Sequence, residues 1–412
     1  MRILYLHQYF ATPESNAGTR SYEMAKRLTL KGHEVTFVTS SAYLSNNYNL
    51  KKGWNKLSIS GFNLYVLHLP YSNKDSFVKR IFKFLQFSFL STLKVLGLRS
   101  DVIFATSTPL TIAIPSLIYS KIKRVPMVFE IRDLWPELPI AAGVIKNPIV
   151  IKLAKWLESY TYRHSSYLVG LSPGMCDGIT KHGIENDKVI LATNSCDTEL
   201  FDVNADIGRK YKQDSLAFLK SRKLVVYTGT FGLINNVGYL PELALRMKAI
   251  DDSICFVAIG DGMEKNDVID KARSLGVMDD NLYILSPVPK TEIVKLLSAA
   301  DLSLSLFGTI EEMWHNSANK LFDALASSTP IAINYGGWQK DFIEEYKCGL
   351  VLDPSNHEKS AKELSDFFRR DDDYRNAKEK CHYLANNVFS RDIMAARIEK
   401  VLLGAVNDKT CI

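Results

Sequence analysis

The sequence predicts an α/β fold made of two doubly wound domains that face a central cleft. Short apolar runs alternate with helix-length segments along almost the whole chain, and this alternation starts again near residue 223. A chain of 412 residues also exceeds what one hydrophobic core usually supports. Because open parallel sheets bind ligands at the carboxyl ends of their strands, we expect the functional site in the loops there.

In the first domain, the strand RILYL (2–6) is followed by a polar loop and the helical pattern RSYEMAKRLTL (20–30), which Gly32 ends. The other strands predicted for this domain are HEVTFVT (33–39), DVIFAT (101–106), PMVFEI (126–131), SYLVGLS (166–172) and KVILATN (188–194). The strands predicted for the second domain are KLVVYTGT (223–230), ICFVAIGDG (254–262), LYILSP (282–287), DLSLSLF (301–307) and PIAINY (330–335).

The domain boundaries follow from this order. We expect an N-terminal domain over 1–200, a C-terminal domain over 201–387, and a final helix over 388–412 that packs back on the N-terminal domain. The polar, broken segment 194–223 is predicted to be the linker region between the two strand series.

Composition excludes several classes of protein. Hydrophobic residues make up 46% of the chain and charged residues 23%, as in folded soluble proteins. No run of eighteen apolar residues is present, so a spanning helix is not expected, and the N-terminus resembles a buried strand more than a signal peptide. The six Cys lack the spacing of a zinc site or a disulfide framework, which predicts a reduced, cytoplasmic protein.

Charge is distributed unevenly along the chain. Residues 1–200 contain 24 Lys and Arg against 14 Asp and Glu, a net charge of +10, whereas residues 201–412 contain 27 against 31, a net charge of −4. A basic half is suited to meet nucleic acid, an anionic membrane or an anionic substrate.

The segment NSANKLFDALASSTPIAINYGGWQ (316–339) has the features of an anion site. If Asn316 or Ser317 caps the helix, the next backbone N–H groups point outward without partners, and Lys320 adds a positive charge on the first turn. Asp323 follows on the same face, where it could bind ribose hydroxyls while Lys320 binds a diphosphate. The alternative interpretation is a surface Lys–Asp pair on an amphipathic helix.

Glycine-bearing loops follow several predicted strands and permit close approach of a ligand. They are TPESNAGTRSYE (12–23), YTGTFGLINN (227–236), GDGMEKNDV (260–268) and the Gly pair after PIAINY. Each alone is equally explained as turn chemistry, and none carries the full dinucleotide-binding fingerprint.

Charged residues directly follow the buried strand PMVF. The segment EIRDLWPELP (130–139) places Glu130, Arg132, Asp133 and Glu137 around a Trp-Pro turn, either as a structural ion pair or as catalytic groups. His7 at the end of the first strand is open to both interpretations. No cluster has metal-ligand spacing, so no metal site is predicted.

The ordered set of motifs resembles the retaining, nucleotide-sugar-dependent glycosyltransferases of family 4, which have the two-domain GT-B fold. The resemblance covers nearly the whole chain, and more narrowly it is closest to bacterial O-antigen and capsule enzymes typified by N-acetyl-L-fucosamine transferases. The segments that carry it are GTRSYEMAKRLTLKGHEVTFVTS, IRDLWPE, NDKVILATNSCDTELF, YTGTFG, VAIGDGMEKNDVIDKARSLGVMDDNLYILSPVPKTEIVKLLSAADLSLSLF and NKLFDALASSTPIAINYGGWQKDFIEEYKCGLVLDP.

The resemblance implies residue roles, with some departures. Asp323 matches the second, ribose-binding acid of the family's E-x7-E element, whereas His315 stands where the first acid would be. Thr230 and Asn236 replace the family's phosphate-binding Arg and Lys, and Arg132 falls near its catalytic-loop His. The implied catalytic residues are Arg132, Asp133 and Lys320. The implied acceptor contacts are Thr19, Arg20 and Glu137. The implied donor contacts are Gly18, Gly229, Thr230, Gly232, Gly260, Asp261, Gly262, Pro287, Val288, His315, Ala318, Asn319, Lys320, Asp323, Gly336 and Gly337.

The implied reaction transfers a sugar, N-acetyl-L-fucosamine in the narrower resemblance, from a UDP-sugar to a polyprenyl-diphosphate-linked saccharide in bacterial surface polysaccharide synthesis. The anomeric configuration is retained, and neither a metal nor a cofactor is required. The expected partners are the nucleotide-sugar donor, the lipid-linked acceptor and an anionic membrane surface, and nucleic acid is not among them.

A basic, aromatic-rich helix over 72–101 is suited to lie on the inner face of the cell membrane, with contacts from Lys79, Arg80, Lys83 and Phe84. Pattern alone gives nearly equal support to a core-facing helix with a solvated basic face. The resemblance favours the membrane, because a polyprenyl-linked acceptor is reached only there.

Three other functions would each require something different of this chain. A non-hydrolysing UDP-sugar 2-epimerase would share the fold and the donor but turn over without an acceptor. A non-enzymatic membrane-associated nucleotide-sugar-binding protein would keep the basic helix but lack turnover. A dehydrogenase would need an acid about twenty residues after a full glycine fingerprint, and this pattern is absent from the sequence.

Overall fold

The computed structural model describes residues 1–15, 18–44, 48–70, 77–141 and 143–409. The chain divides into two compact units. The first unit comprises residues 1–194 and 391–412, and the second comprises residues 195–390. The sequence-based boundaries at 200/201 and 387/388 lie within six residues of the observed ones.

The first unit is built around one sheet. Its strands are β1 (Arg2–Leu6), β2 (Glu34–Ser40), β3 (Trp54–Ile59), β4 (Phe62–Leu67), β5 (Val102–Thr106), β6 (Met127–Ile131), β7 (Tyr167–Gly170) and β8 (Val189–Leu191). Within the described residues this eight-stranded sheet has the order β3-β4-β2-β1-β5-β6-β7-β8, and all neighbours are parallel except the antiparallel pair β3 and β4.

The six strands predicted for this domain are confirmed, but β3 and β4 were missed. β3 lies at the sheet edge with alternating exposed residues, so it contains no continuous apolar run. The hairpin turn between the two strands is made by Ser60 and Gly61, which both have positive φ.

Helices cover this sheet. They are α1 (Arg20–Leu30), α2 (Phe77–Leu96), α3 (Ala113–Lys123), α4 (Glu137–Ala141), α5 (Pro148–Arg163) and α6 (Pro173–Thr180). α1 ends as predicted beside Gly32, whose φ of +85° is a backbone conformation that glycine adopts without strain. One core cluster packs Leu4, Ile103, Phe129 and their neighbours under these helices.

The second unit contains the strands β9 (Lys223–Thr228), β10 (Ile254–Ile259), β11 (Leu282–Leu285), β12 (Leu302–Ser305), β13 (Ile331–Ile333) and β14 (Gly349–Val351). Among described residues they form a six-stranded parallel sheet in the order β11-β10-β9-β12-β13-β14. The five predicted strands are confirmed. The short strand β14 was missed because it has only three residues and begins with a glycine, so it contains no apolar run. Gly349 is needed there for close packing, since a Cβ would lie 1.8 Å from the Ile331 carbonyl oxygen.

The helices of the second unit are α7 (Thr198–Phe201), α8 (Ala205–Ser215), α9 (Tyr239–Ile250), α10 (Lys265–Ser274), α11 (Lys290–Ala299), α12 (Asn319–Ala326), α13 (Trp338–Tyr346), α14 (His357–Arg369) and α15 (Asp371–Asn387). The prediction that 194–223 is a linker was wrong. This segment forms α7 and α8, and its Phe201, Leu216 and Leu219 are buried in the core against β9 and β10.

The final helix, α16 (Arg391–Lys409), belongs to the first unit, where it packs against α1. Arg391 forms an ion pair with Glu23 at 2.9 Å, and Arg27 donates to Asp392 at 2.7 Å. Further along, Glu399 accepts from His33 at 2.9 Å and pairs with Lys31. These contacts extend along α1, from its first turn to the residues that follow its end.

Candidate active site

In the second unit, the candidate site is built around the start of α12, beyond the carboxyl end of β12. The N-cap residue is Ala318, with extended backbone and no side-chain cap, so the predicted capping by Asn316 or Ser317 is wrong. Asn316 has another role, because its carbonyl accepts from Trp338 Nε1 at 2.7 Å and Gln339 Nε2 at 3.0 Å. The backbone N–H groups of the first turn are therefore not capped by the N-cap side chain.

Lys320 lies on this first turn against two aromatic rings. Its Nζ is 5.2 Å from the centroid of Tyr227 and 5.9 Å from that of Phe307. Among the described residues no carboxylate forms an ion pair with it. Burial lowers the pKa of Lys320 to about 8, and the charge of Asp323 opposes that shift.

Gly229 creates the space for Lys320. A Cβ at this position would lie 2.6 Å from Lys320 Cε, and the φ of Gly229 is +150°. Gly229 thus lets a cation approach the loop after β9, and the donor contact expected of Gly229 stays a prediction. Thr230, next in the chain, is exposed.

Asp323 has a partner that the sequence did not reveal. Its Oδ2 forms an ion pair with Lys290 Nζ at the start of α11, and Lys290 also lies 5.1 Å from the centroid of Phe201. The Asp323 side chain is 21% exposed, so a ligand can reach it. Of the two residues predicted near this point, Pro287 is exposed and Val288 packs against the core.

Two of the predicted donor-site glycines serve backbone packing. A Cβ at Gly260 would lie 1.8 Å from the Gly229 carbonyl oxygen, and one at Gly262 would lie 2.2 Å from that of Phe231. Phe231 N also donates to the Asp261 carbonyl at 2.9 Å. The loops after β9 and β10 thus pack backbone to backbone, which accounts for these glycines without a ligand. Gly232 has no such close contact.

The Gly pair before α13 has a similar structural role. A Cβ at Gly336 would lie 3.0 Å from the Trp314 ring, and Gly337 has a φ of +78°. Trp314 Nε1 in turn donates to the Gly308 carbonyl at 3.0 Å. These contacts fix the 3₁₀ turn over 311–315, whose last residue, His315, is partly exposed in front of α12.

In the first unit, an ion pair crosses the carboxyl edge of the sheet. Arg20 donates to Glu130 Oε1 at 2.7 and 3.1 Å and to the carbonyls of Ala192 and Thr193, and both side chains are buried. Thr106 also donates to Glu130, at 3.1 Å. Of the two interpretations of Glu130, catalytic group or member of a structural ion pair, these contacts support the structural ion pair. The prediction that Arg20 contacts the acceptor is corrected, because its guanidinium is buried in these bonds.

Arg132 lies beside this pair and is partly exposed. Its NH1 is 3.4 Å from His7 Nε2, and His7 Nδ1 is 2.9 Å from Ser21 Oγ. Burial, followed by the charge of Arg132, holds the pKa of His7 well below its usual value. His7 is thus a neutral imidazole whose Nε2 accepts from Arg132, so Nδ1 donates to Ser21. Asp133 accepts from Thr108 Oγ1 at 2.8 Å.

The other predicted acceptor contacts lie elsewhere in this unit. Glu137, at the start of α4, lies near Glu158, and burial together with the charge of Glu137 raises the pKa of Glu158 to about 8. Oε2 of Glu137 is buried without a hydrogen-bond partner in the described residues. Thr19 Oγ1 accepts from Arg391 at 3.3 Å, and the neighbouring Gly18 is exposed.

The predicted membrane helix is α2, and it exposes apolar side chains. Phe82 is 67% exposed and Phe89 65%, on the same stripe as Leu85 and Leu93. The opposite face, including Phe87, is buried. The alternative interpretation, a core-facing helix whose exposed face is basic, therefore does not hold, since much of the exposed face is apolar. Membrane contact through α2 stays a prediction.

The basic residues predicted to bind the membrane differ in exposure and in their contacts. Lys79 is exposed and Arg80 partly so, whereas Lys83 donates to the Pro70 carbonyl at 2.5 Å. The Phe84 ring packs edge-on against Tyr9 at 6.2 Å. Lys74 and Asp75, which the sequence assigned to this helix, lie outside the described residues.

Two features are absent from the described part of the chain. Three or more His, Cys, Asp or Glu side chains nowhere gather there in a way that could hold a metal ion. No helix there has the length and apolar character needed to cross a membrane.

Two family models match the chain. The model described as "Glycosyl transferase 4-like domain" matches residues 17–194, and the model described as "Glycosyl transferases group 1" matches residues 209–387. The chain therefore belongs to the group 1 type of glycosyltransferases that these two domains make up. Its two Rossmann-like units have the GT-B fold, as predicted.

Individual relatives are distant. The chain is 22% identical over 299 residues to Escherichia coli K12 WcaI, named as a colanic acid biosynthesis glycosyl transferase, covering 69% of this chain and 72% of WcaI. It is 23% identical over 300 residues to Pseudomonas aeruginosa WbjE, named as a glycosyltransferase, covering 70% and 71%. The structure of Anabaena HepE in complex with UDP superposes with a TM-score of 0.68 at 13% identity, covering 98% of this chain and 100% of HepE.

Proposed function

We propose that this chain transfers a sugar from a UDP-sugar to a polyprenyl-diphosphate-linked saccharide, with retention at the anomeric carbon and without a metal ion, in bacterial surface polysaccharide synthesis. The observation that carries the proposal is the environment of Lys320. This cation lies at the start of α12, partly desolvated by two aromatic rings and without an ion-pair partner in the described residues. Such a group is suited to bind a diphosphate.

Preorganised charge is the catalytic principle of this proposal. Negative charge accumulates on the UDP leaving group as the bond to the sugar breaks, and Lys320 with the first-turn N–H groups of α12 would stabilise it without reorganisation. The family's phosphate-binding Arg and Lys are replaced by Thr230 and Asn236, so Lys320 carries more of this stabilisation here.

Asp323 is the proposed ribose ligand. One turn beyond Lys320, its carboxylate would accept hydrogen bonds from the two ribose hydroxyls while the Lys290 ion pair fixes its position. The complex of HepE with UDP supports UDP as the nucleotide to test first.

For the acceptor side, we assign Arg132 and Asp133 to contacts with the reacting groups. Arg132 is partly exposed and held by His7, and Asp133 is held by Thr108. The acceptor hydroxyl would attack from the side of the leaving group, and the diphosphate would take its proton. We propose that a membrane contact through α2 gives access to the lipid-linked acceptor.

The donor sugar is tested by a screen. Nucleotide sugars, including UDP-N-acetyl-L-fucosamine, are compared for thermal stabilisation of the full-length protein, and those that stabilise it are assayed with polyprenyl-diphosphate sugars. The proposal predicts UDP release that depends on the acceptor. Conversion of the donor sugar without any acceptor would instead support the epimerase, and binding without turnover the non-enzymatic alternative.

A further inference from the structure

Helix α5 exposes a stripe of large apolar side chains. Ile149, Leu153 and Trp156 are 68%, 61% and 59% exposed, and their spacing places them on one face of the helix. Val144, just before the helix, and Val150 extend the apolar surface. Contiguous exposed apolar surface of this kind marks an interaction site more often than scattered single residues do.

The start of α5 is firmly specified, so the exposed stripe lies on regular helix. Asn147 is the N-cap, and its side chain accepts from the backbone N of Ile149 at 2.9 Å and of Val150 at 3.3 Å. Pro148 occupies the first turn, where its fixed φ favours helix. Local sequence thus forms a helix whose first half is not buried.

The charges around this stripe have one sign. Residues 138–157 contain Lys146, Lys152 and Lys155, all exposed, and no Asp or Glu. The acid of this helix, Glu158, is buried on the other face, where it accepts from Tyr162 OH at 2.9 Å. The exposed face therefore combines apolar and cationic groups without a counter-charge of its own.

The aromatic part of this face is held in place. The Trp156 ring stacks on Tyr160 with centroids 5.3 Å apart, and Tyr160 stacks on His164 at 3.9 Å. Lys121 of α3 lies 4.8 Å from the Tyr160 centroid. A Trp ring fixed at the surface loses little conformational entropy when a partner covers it.

We propose that this face of α5, the segment from Val144 to Trp156, binds an anionic lipid surface and is a second membrane contact besides α2. Aliphatic and Trp side chains enter the boundary between headgroups and acyl chains, and flanking Lys residues pair with anionic headgroups. Both α2 and α5 pack against α3, so they lie on the same side of the first unit's sheet. The inference rests on the proposed lipid-linked acceptor.

Charge decides between a lipid surface and a second copy of the chain. In a two-fold symmetric dimer through α5, the same Lys residues would meet across the contact, and like charges at close range are unfavourable. An anionic lipid surface can pair with all three Lys side chains. A dimer through this face is therefore the competing outcome of the experiment.

The test uses the full-length protein and vesicles of phosphatidylcholine with or without phosphatidylglycerol. The double variant Leu153→Glu with Trp156→Glu is expected to reduce sedimentation with anionic vesicles at least tenfold and to leave UDP affinity within twofold. The matched control, Leu30→Glu with Leu403→Glu, changes two exposed apolar residues of the same unit and should sediment like the wild type.

A second readout follows Trp156 itself. Brominated anionic lipid should quench part of the wild-type Trp fluorescence, and the Trp156→Phe variant should lose that part while still sedimenting. Unchanged sedimentation of the double variant, or quenching that persists in Trp156→Phe, would overturn the proposal. So would a concentration-dependent wild-type dimer that the double variant abolishes. Failure of the proposed transferase would instead appear as absent turnover with lipid binding intact.

Discussion

The surroundings of Lys320 determine its chemistry. In the free protein its pKa is about 8, because the two rings and the neighbouring backbone remove water from its ammonium group. A bound diphosphate would favour the charged form and raise that pKa. Binding of UDP is therefore linked to proton uptake by this side chain above pH 8.

The sign of the pH dependence follows from that linkage. Below pH 8 Lys320 is charged in both free and bound protein, so its contribution to UDP affinity stays constant. Above pH 8 the free protein loses the proton first, and affinity should fall by up to about tenfold per pH unit. Titration calorimetry between pH 7.5 and 9.5 measures this.

The same titration needs two variants. Lys320→Met should bind UDP more weakly and lose the pH dependence, whereas Lys340→Met, a partly exposed Lys on α13, should behave like the wild type. If Lys320→Met keeps the wild-type affinity and its slope above pH 8, Lys320 does not contact the diphosphate.

Asp323 gives a second prediction for the same ligand. Asp323→Ala should weaken UDP binding by about 1.5–3 kcal/mol, or roughly 10- to 150-fold, because the ribose hydroxyls lose a charged acceptor. Deoxyuridine diphosphates, which lack a ribose hydroxyl, should show a smaller loss from the same substitution. The control is Lys295→Met, which breaks a surface pair with Glu292 on α11. Equal UDP affinity of Asp323→Ala and wild type, with folding intact, rejects the ribose assignment.

The residues of α12 were predictable because they depend on local spacing alone. Lys320 and Asp323 are three residues apart on one helix, and helical geometry places them on one face. Lys290 lies 33 positions before Asp323 and enters the site only through tertiary packing. Its pairing with Asp323 has no local signal in the sequence. The same holds for Arg20, whose partner Glu130 is 110 positions away.

At the scale of elements, α5 contains a buried carboxyl with a testable effect on stability. Burial, followed by the charge of Glu137, raises the pKa of Glu158 from its ordinary value of 4.5 to about 8 in the folded protein. Because the folded value is raised, the stabilising protonated form is fully present below pH 4.5. Stability from this group is lost as pH rises toward 8, by up to about 1.4 kcal/mol per pH unit.

Glu158→Gln should remove that loss. Its amide cannot ionise, and its oxygen can still accept a hydrogen bond from Tyr162. The free energy of unfolding of the variant should therefore increase relative to that of the wild type as pH rises from 5 to 8. The difference between their urea unfolding midpoints, measured at each pH, isolates this group from all others. A constant difference across this range would contradict the raised pKa.

The exposed stripe of α2 gives a prediction about membranes. The triple variant Lys79→Glu, Arg80→Glu and Lys83→Glu should weaken sedimentation with anionic liposomes and leave UDP affinity unchanged. The variant Phe82→Ser with Phe89→Ser should weaken it too, because both rings are exposed and would lose insertion into the lipid boundary. If both variants sediment like the wild type, α2 makes no membrane contact.

Element prediction succeeded where the apolar pattern was continuous. All eleven predicted strands form, and each contains an apolar run. Most of them are buried, whereas the edge strands β8 and β11 are only partly so. The edge strand β3 is half-exposed, and β14 is very short, so neither produces such a run. The exposed faces of α2 and α5 show the opposite failure. An apolar stripe on a helix predicts that the stripe is buried, but whether another element covers it depends on tertiary packing, which the local pattern does not contain.

At the scale of the whole molecule, the chain order of the motifs carried more information than any one of them. Gly260 and Gly262 alone would be explained by backbone packing, and Glu130 by a structural ion pair. Their order along two strand series identified the glycosyltransferase family, which the matches over 17–194 and 209–387 confirm. The proposed donor contacts include positions where this chain departs from the motifs of the resemblance, as at His315 and Thr230, so the order of motifs does not define them.

The central claim is acceptor-dependent transfer from a UDP-sugar, and the most direct measurement is UDP release by the full-length protein. The assay uses a stabilising UDP-sugar and a polyprenyl-diphosphate saccharide in excess EDTA, with Lys320→Met alongside. The account predicts one UDP for each glycosylated lipid, a much lower rate for Lys320→Met at saturating donor, and no release when the lipid is left out. UDP-sugar turnover that ignores the lipid acceptor, or a Lys320→Met rate within twofold of the wild type, would contradict it.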